Sequence, residues 1–239
     1  MQNAMFSYSG TELDAMVEAR NYYKWVLRLA RTFIRGKVVE VGAGVGNFAA
    51  ALLQEVPVSE LVLVEPAENL HPRLVERFRS DARVKVLPGY LSDLSCSSRV
   101  DSVIAVNVIE HIRDDAEFLR LAFNALAPGG TVVLFAPALA ALYGTLDESF
   151  EHYRRYRKSE LTYKLTQARF RLEKILYVNF AGIFTWLLAS RVLRRRTLRA
   201  AQVRFYDRWV VPWISRAEQL LEPPLGQSLL AIARKPAAS

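Results

Sequence analysis

Residues 37–51 read KVVEVGAGVGNFAAA. Val38, Val39 and Val41 are β-branched and lead into Gly42-Ala43-Gly44-Val45-Gly46, after which an alanine-rich helical pattern begins. The order is strand, glycine turn, helix. Glycines at such a turn let the backbone approach a ligand with no Cβ in the way, and the helix N-terminus offers unpaired N–H groups. The turn therefore suits a nucleoside-bearing cofactor. Dinucleotide enzymes carry a similar GxGxxG, so the spacing matters. Here the third glycine comes one residue earlier, giving GxGxG, and Glu40 stands two residues before the first glycine.

An acidic residue followed by xGxGxG resembles the first motif of the class I S-adenosylmethionine-dependent methyltransferases. Further strings extend the resemblance over residues 37–137. Leu61–Val64 is a short apolar run that reads as a buried parallel strand ending in Glu65-Pro66. Arg83 to Leu87 reads as a third strand, followed by Pro88-Gly89-Tyr90-Leu91-Ser92-Asp93. Val100 to Val106 reads as a fourth, followed by Asn107-Val-Ile-Glu-His-Ile112, which is similar to the family's fourth motif in its small-molecule branch. A helix over Leu119–Ala127 and a Pro128-Gly129-Gly130 turn precede a fifth strand, Thr131–Ala136. Strands alternating with helices predict a doubly wound parallel sheet. The resemblance implies a seven-stranded Rossmann-like α/β sheet and an S-adenosylmethionine cofactor. It carries cofactor contacts onto Glu40, Gly42, Ala43, Gly44, Gly46, Asn47, Glu65, Pro66, Tyr90, Leu91 and Asn107.

Two of those positions leave alternatives open. A carboxylate has two acceptor oxygens, so Glu65 at a strand tip can take both ribose hydroxyls, or it can cap the helix read at 69–79. In the family an Asp often follows the glycine after strand three, and here Tyr90 stands there; Tyr90 can stack on the base, or Asp93 can replace the missing acid.

Residues 11–35 read as one amphipathic helix that also holds Tyr22, Tyr23 and Trp25. The resemblance makes 1–36 a cap over the cofactor, with Tyr22 lining it. Trp25 is read as packing on the sheet, and Tyr23 fits either role. Phe170 to Val178 and Ser228 to Arg234 read as strands six and seven. They place the methyltransferase core at 37–178 plus 228–235, and they make 179–227 a helical insertion where the family usually joins the two strands directly.

The 239 residues carry a net charge of +8, unevenly spread. Residues 1–150 hold 14 Lys and Arg against 18 Asp and Glu, whereas residues 151–239 hold 18 against 6, a net +12. A basic C-terminal third suits a phosphate-bearing substrate, an anionic membrane face, nucleic acid, or simply a solvated surface. The insertion opens with the apolar stretch 180–189, shorter than the ~20 residues a membrane span needs. Arg191, Arg194, Arg195, Arg196 and Arg199 follow, then an aromatic-rich segment broken by Pro212. That pattern fits a lid over an acceptor pocket, a peripheral membrane contact, or a plain helical subdomain, in that order. Oligomeric state is not legible. One cysteine, Cys96, excludes a disulfide framework and a Cys-rich zinc site, and the first twelve residues lack the marks of a signal peptide; both observations fit a cytoplasmic protein.

Methyl transfer from a sulfonium is an in-line displacement that asks for positioning and, for an O–H or N–H acceptor, a base. His111 and His152 are the candidate bases, His111 because an unperturbed imidazole titrates near physiological pH. His111 can equally be a structural residue at the end of strand four. In His152-Tyr153-Arg154-Arg155-Tyr156 the arginines can grip an anionic acceptor, with Tyr153 and Tyr156 beside them, or the string can serve capping and packing. Asp147 and Glu148 are bases or loop residues. No paired His/Asp spacing of a metal site is present, so no metal is expected. Nucleic acid is not expected as acceptor, since NVIEH is neither a Pro-Pro-Tyr nor an Asn-Leu-Pro-Tyr motif and Cys96 lacks a preceding proline.

These readings converge on cytoplasmic methyl transfer to a small molecule, at an oxygen of an anionic, sugar-containing, lipid-linked or natural-product acceptor. The resemblance is to bacterial methyltransferases of types 11 and 12. The alternatives are a non-catalytic scaffold or membrane-docked partner that keeps the fold, and an NAD-dependent oxidoreductase, which the GxGxG spacing disfavours.

Overall fold

The computed structural model describes residues 7–8, 10, 12–94 and 99–237; Cys96 and most of the N-terminal stretch read above fall outside them. Helices α1 (Glu12–Met16) and α2 (Arg20–Ala30) lead into β1 (Gly36–Val41), the glycine turn and α3 (Asn47–Glu55). β2 (Val58–Glu65), α4 (His71–Phe78), β3 (Val84–Pro88), β4 (Val100–Val106), α5 (Asp115–Ala125) and β5 (Leu126–Pro137) complete the parallel part. After α6 (Thr145–Ser149) and α7 (Lys158–Gln167) the chain forms β6 (Arg171–Val178). It then leaves the sheet for α8 (Phe180–Trp186), a π-helical stretch over Leu187–Val192, α9 (Ala200–Trp209) and α10 (Val211–Leu220), and returns as β7 (Ser228–Arg234).

The sheet order is β3-β2-β1-β4-β5-β7-β6, with β7 antiparallel to both its neighbours. β1 pairs in parallel with β2 on one side and β4 on the other, so the connections leaving β1 and β4 diverge. Open α/β sheets bind ligands at such a switch point, outside the carboxyl ends of the strands. The central strands read as continuous apolar runs because both faces are covered: Trp25, Leu27, Phe48 and Leu52 pack on one face, Phe118, Leu119, Leu161 and Leu165 on the other. Trp25 is fully buried there, as read.

The predicted helix 11–35 is two helices, with a break at 17–19 and a short 3-10 turn over Arg31–Phe33. The cause lies far away in sequence. Asp207 of α9 is buried, and its carboxylate accepts the N–H groups of Asn21 at 3.0 Å and Tyr22 at 2.8 Å, at the start of α2. A carboxylate at a helix N-terminus satisfies orphan donors and complements the dipole, so α9 sets where α2 begins. Helix α5 starts four residues earlier than read, because Asp114 caps it by accepting the Glu117 N–H at 2.9 Å.

The insertion is anchored at its root by Asn179. Its amide donates to Gln227 Oε1 at 2.9 Å, its Oδ1 accepts the Gly182 N–H and the Tyr206 hydroxyl, and its backbone N–H donates to Glu218. One buried side chain thus joins the two ends of the insertion to its helices.

Candidate functional site

The carboxyl ends of β1 and β4 open onto a cavity of about 710 Å³. Glu40, Gly42, Ala43, Gly44, Asn47, Asn107, Glu110 and His111 line its sheet side. Leu13, Met16, Tyr22 and Tyr23 close one flank, and the insertion supplies the facing wall through Trp186, Leu188, Leu193, Leu198, Val203 and Phe205. The insertion therefore forms one wall of the cavity.

Gly42, Gly44 and Gly46 have φ of +67°, +57° and +78°, a region L side chains rarely adopt. A Cβ would also strike Val108 at Gly42 and the Phe78 ring at Gly46. The turn is thus a glycine requirement twice over. Glu65 sits behind it: Oε2 accepts the Gly44 N–H at 2.7 Å and Oε1 the Ala67 N–H at 2.9 Å. Neither earlier reading of Glu65 matches this. It does not line the cavity, and the residue capping α4 is Leu70. The carboxylate braces the turn instead. Pro66, Tyr90 and Leu91 also lie off the cavity; Tyr90 is exposed, its N–H bonded to Asp93 Oδ2 at 2.7 Å, and Leu91 is core.

Glu40 is buried, its Oε2 has no hydrogen-bond partner, and burial, reinforced by the nearby Glu65 charge, pushes its carboxyl up to about 8. An unpartnered acidic oxygen beside a backbone cradle suits a cationic group on a ligand.

Beyond Asn107 the wall becomes polar. His152 Nδ1–H donates to Asp147 Oδ1 at 2.9 Å, which fixes the tautomer and leaves Nε2 as the ring's lone-pair atom. Arg155 Nε donates to the same oxygen at 2.7 Å, while Gly144 N–H at 3.0 Å and Trp186 Nε1–H at 3.2 Å reach Oδ2. Burial opposes the charge on Asp147, but the His152 and Arg155 contacts outweigh it and hold the carboxyl below its usual range. The His111 ring stands across His152 at 4.7 Å between centroids and 84° between planes. Burial, with His152 adding to it, drives the His111 imidazole down to about 4, so it is neutral at physiological pH and a weak base. That removes the reason for which His111 was read as a base. Glu110 is fully buried with neither oxygen partnered, and burial pushes its carboxyl up to about 8.

Of the His152–Tyr156 string, only His152 and Arg155 line the cavity. Arg154 is held by Asp115 Oδ2 at 2.8 Å and the Arg113 carbonyl at 2.7 Å, and Tyr153 is exposed between Arg113 and Arg154. Tyr156 is fully buried, donating to Asp115 at 2.8 Å. The fold also brings together residues that no metal-site spacing linked in the sequence: one ligand atom each from Glu110, His111 and His152 lie within 4.8 Å of one another. The sequence reading missed Glu110 as a separate group, and Trp186 altogether. A buried acid beside the histidine in Glu110-His111 was a usable signal; nothing local marks Trp186.

The family model described as "Methyltransferase domain" matches residues 7–175, more than half the chain. The chain belongs to the methyltransferase-domain family. A Mycolicibacterium smegmatis protein named as a probable S-adenosylmethionine-dependent methyltransferase is 32% identical over 155 residues, 63% of this chain and 58% of its own. A Haemophilus ducreyi malonyl-[acyl-carrier protein] O-methyltransferase is 31% identical over 108 residues, 44% of this chain and 41% of its own. The chain thus spans about half the length of these curated relatives. A methyltransferase solved in complex with the Haloferax volcanii Trm112 methyltransferase activator superposes with TM-score 0.66 at 16% identity, over 95% of this chain and 94% of that one, which shows the shared fold. The site's residues fit S-adenosylmethionine: the glycine cradle a Cβ would fill, and the orphaned Glu40 oxygen for its cationic end.

Proposed function

We propose that the methyltransferase transfers a methyl group to an oxygen of a small amphiphilic acceptor with an anionic or sugar-bearing head. The observation that carries this reading is the single cavity running from the glycine turn, past a polar cluster, to an apolar wall built by the insertion. Glu40, the Gly42–Gly46 turn, Asn47, Asn107 and Tyr22 hold the cofactor, which when bound supplies a sulfonium methyl for in-line displacement. Arg155, whose Nη2 is buried and unpartnered, meets the acceptor's negative charge. His111 and His152 face the reacting oxygen. One curated relative is named as an O-methyltransferase, which agrees with that atom.

The outer face of the insertion supports collection of the acceptor from an anionic membrane surface. Phe184, Val192, Trp209 and Trp213 are exposed on the insertion, as are Arg194, Arg196 and Arg199, and among the described residues no carboxylate pairs with those three arginines. No helix among the described residues is long and apolar enough to cross a membrane, so contact would be peripheral.

The test is calorimetric titration with S-adenosylmethionine and with NAD, followed by transfer of a labelled methyl group into membrane-lipid extracts and into soluble anionic sugars. Binding of S-adenosylmethionine alone, with label entering the lipid fraction as an alkali-stable ether or a labile ester, is expected. Binding without turnover on either acceptor pool would favour the scaffold reading, and label in the sugar pool alone would remove the membrane-borne acceptor.

A further inference from the structure

We propose that Glu110, His111 and His152 form a divalent transition-metal site in the polar wall of the cavity. This inference rests on reading that cavity as the acceptor site. One ligand atom from each residue lies within 4.8 Å of the other two. Metal–ligand bonds of about 2.0–2.2 Å bring donor atoms to roughly 3–3.5 Å apart, so small side-chain rotations close the set around an ion.

The second observation is independent of that spacing. Glu110 is fully buried and both its oxygens lack any partner, which is an uncommon and costly state for a carboxylate. A cation bound between it and the imidazoles satisfies it. The third is the outer contact on His152. Asp147 accepts the Nδ1–H at 2.9 Å and is itself fixed by Arg155 and Trp186, which turns Nε2 outward as the ligand atom. A carboxylate behind a metal-binding imidazole orients the ring and raises its basicity. Asp147 also offsets the Arg155 guanidinium, the one cationic side chain bonded into this cluster among the described residues.

Two imidazoles and one carboxylate suit zinc and its neighbours rather than magnesium or calcium, which prefer all-oxygen sets. Three protein ligands leave positions open toward the cavity, as in catalytic rather than structural sites. An acceptor hydroxyl placed there is acidified by coordination, and its proton passes to water. The oxygen then forms the new O–C bond as the S–C bond of the methyl donor breaks, leaving a neutral thioether. His152 is in this arrangement a ligand, and no separate base is required.

The test uses full-length, tag-free protein stripped of metal and titrated with Co²⁺, read by its visible d–d absorption, with S-adenosylmethionine binding measured in parallel by calorimetry. Saturable tetrahedral or five-coordinate bands are expected, lost in Glu110→Gln and in His152→Ala. Asp147→Asn should weaken Co²⁺ binding by about 10–100-fold while keeping a similar spectrum. His111→Asn serves as a further ligand variant should Glu110→Gln fail to fold, judged by circular dichroism. No d–d bands, or bands of equal strength in all the variants, would overturn the site. Loss of S-adenosylmethionine binding in the unaltered protein would instead sink the methyl-transfer reading, whatever the Co²⁺ result.

Discussion

Glu40→Gln should change how the stability of the ligand-free protein depends on pH. In the folded protein burial and the Glu65 charge push the Glu40 carboxyl from 4.5 up to about 8. In the unfolded chain it ionises near its ordinary value. From about pH 4.5 upward the unfolded state therefore releases a proton that the folded state retains, and stability falls with rising pH until the folded group also ionises near 8. At about 1.4 kcal/mol per unit, the span sets an upper bound of about 5 kcal/mol. Local relaxation and water entry bring the expected loss to about 2–4 kcal/mol. Gln is nearly isosteric and has no proton to lose. Urea unfolding of both proteins at about pH 5 and about pH 8.5 should show the variant gaining on the wild type by that amount as pH rises. Glu110, pushed into the same range by burial, is present in both proteins and cancels in the difference. A difference that stays constant across the range would refute the placement of Glu40 as a buried, unpaired acid.

Gly46→Ala should cost about 2–4 kcal/mol in urea unfolding, from the left-handed backbone and the collision with Phe78 together; Phe78→Leu in the same chain should recover the steric share only. Asp207→Asn should destabilise by about 1–2 kcal/mol and raise hydrogen exchange at the Asn21 and Tyr22 amides, since an amide oxygen caps α2 more weakly than the carboxylate; unchanged exchange there would separate α9 from α2. Combined Arg194→Ala, Arg196→Ala and Arg199→Ala should lower partitioning onto anionic vesicles by about 100-fold, at about 1 kcal/mol per arginine, and the wild-type binding should fall with salt. Equal pelleting with neutral and anionic vesicles would exclude electrostatic docking. Proton NMR should keep the His111 ring neutral down to about pH 4; titration near 6.5 would contradict its burial.

Much of the parallel half was legible from local sequence, because what specifies it is local. GxGxG can only be a turn of positive-φ residues between a strand and a helix, and Gly42, Gly44 and Gly46 take those angles. Apolar runs such as Leu61–Val64 can be satisfied only inside a sheet covered on both faces. The placement of Trp25 in the core followed from the same patterning, whereas the antiparallel return of β7 was not written in it. The glycines of the turn were readable for this reason, whereas the bonding of Glu65 was not: an acid at a strand tip has the same spelling whether it faces a ligand or braces a backbone N–H.

The polar cluster and the insertion's wall belong to tertiary structure. Glu110, His111, Asp147, His152, Arg155 and Trp186 come from three separate segments, and their protonation is set by burial and by one another, neither of which has a periodicity to read. The N-terminal helix breaks where it does because Asp207, most of the chain away, supplies the carboxylate for its second half. Local sequence determined the parallel strands and the glycine turn, since each rests on neighbours in the chain. The cavity was decided only when the 179–227 insertion supplied its facing wall, because a wall between distant segments exists in no stretch of sequence.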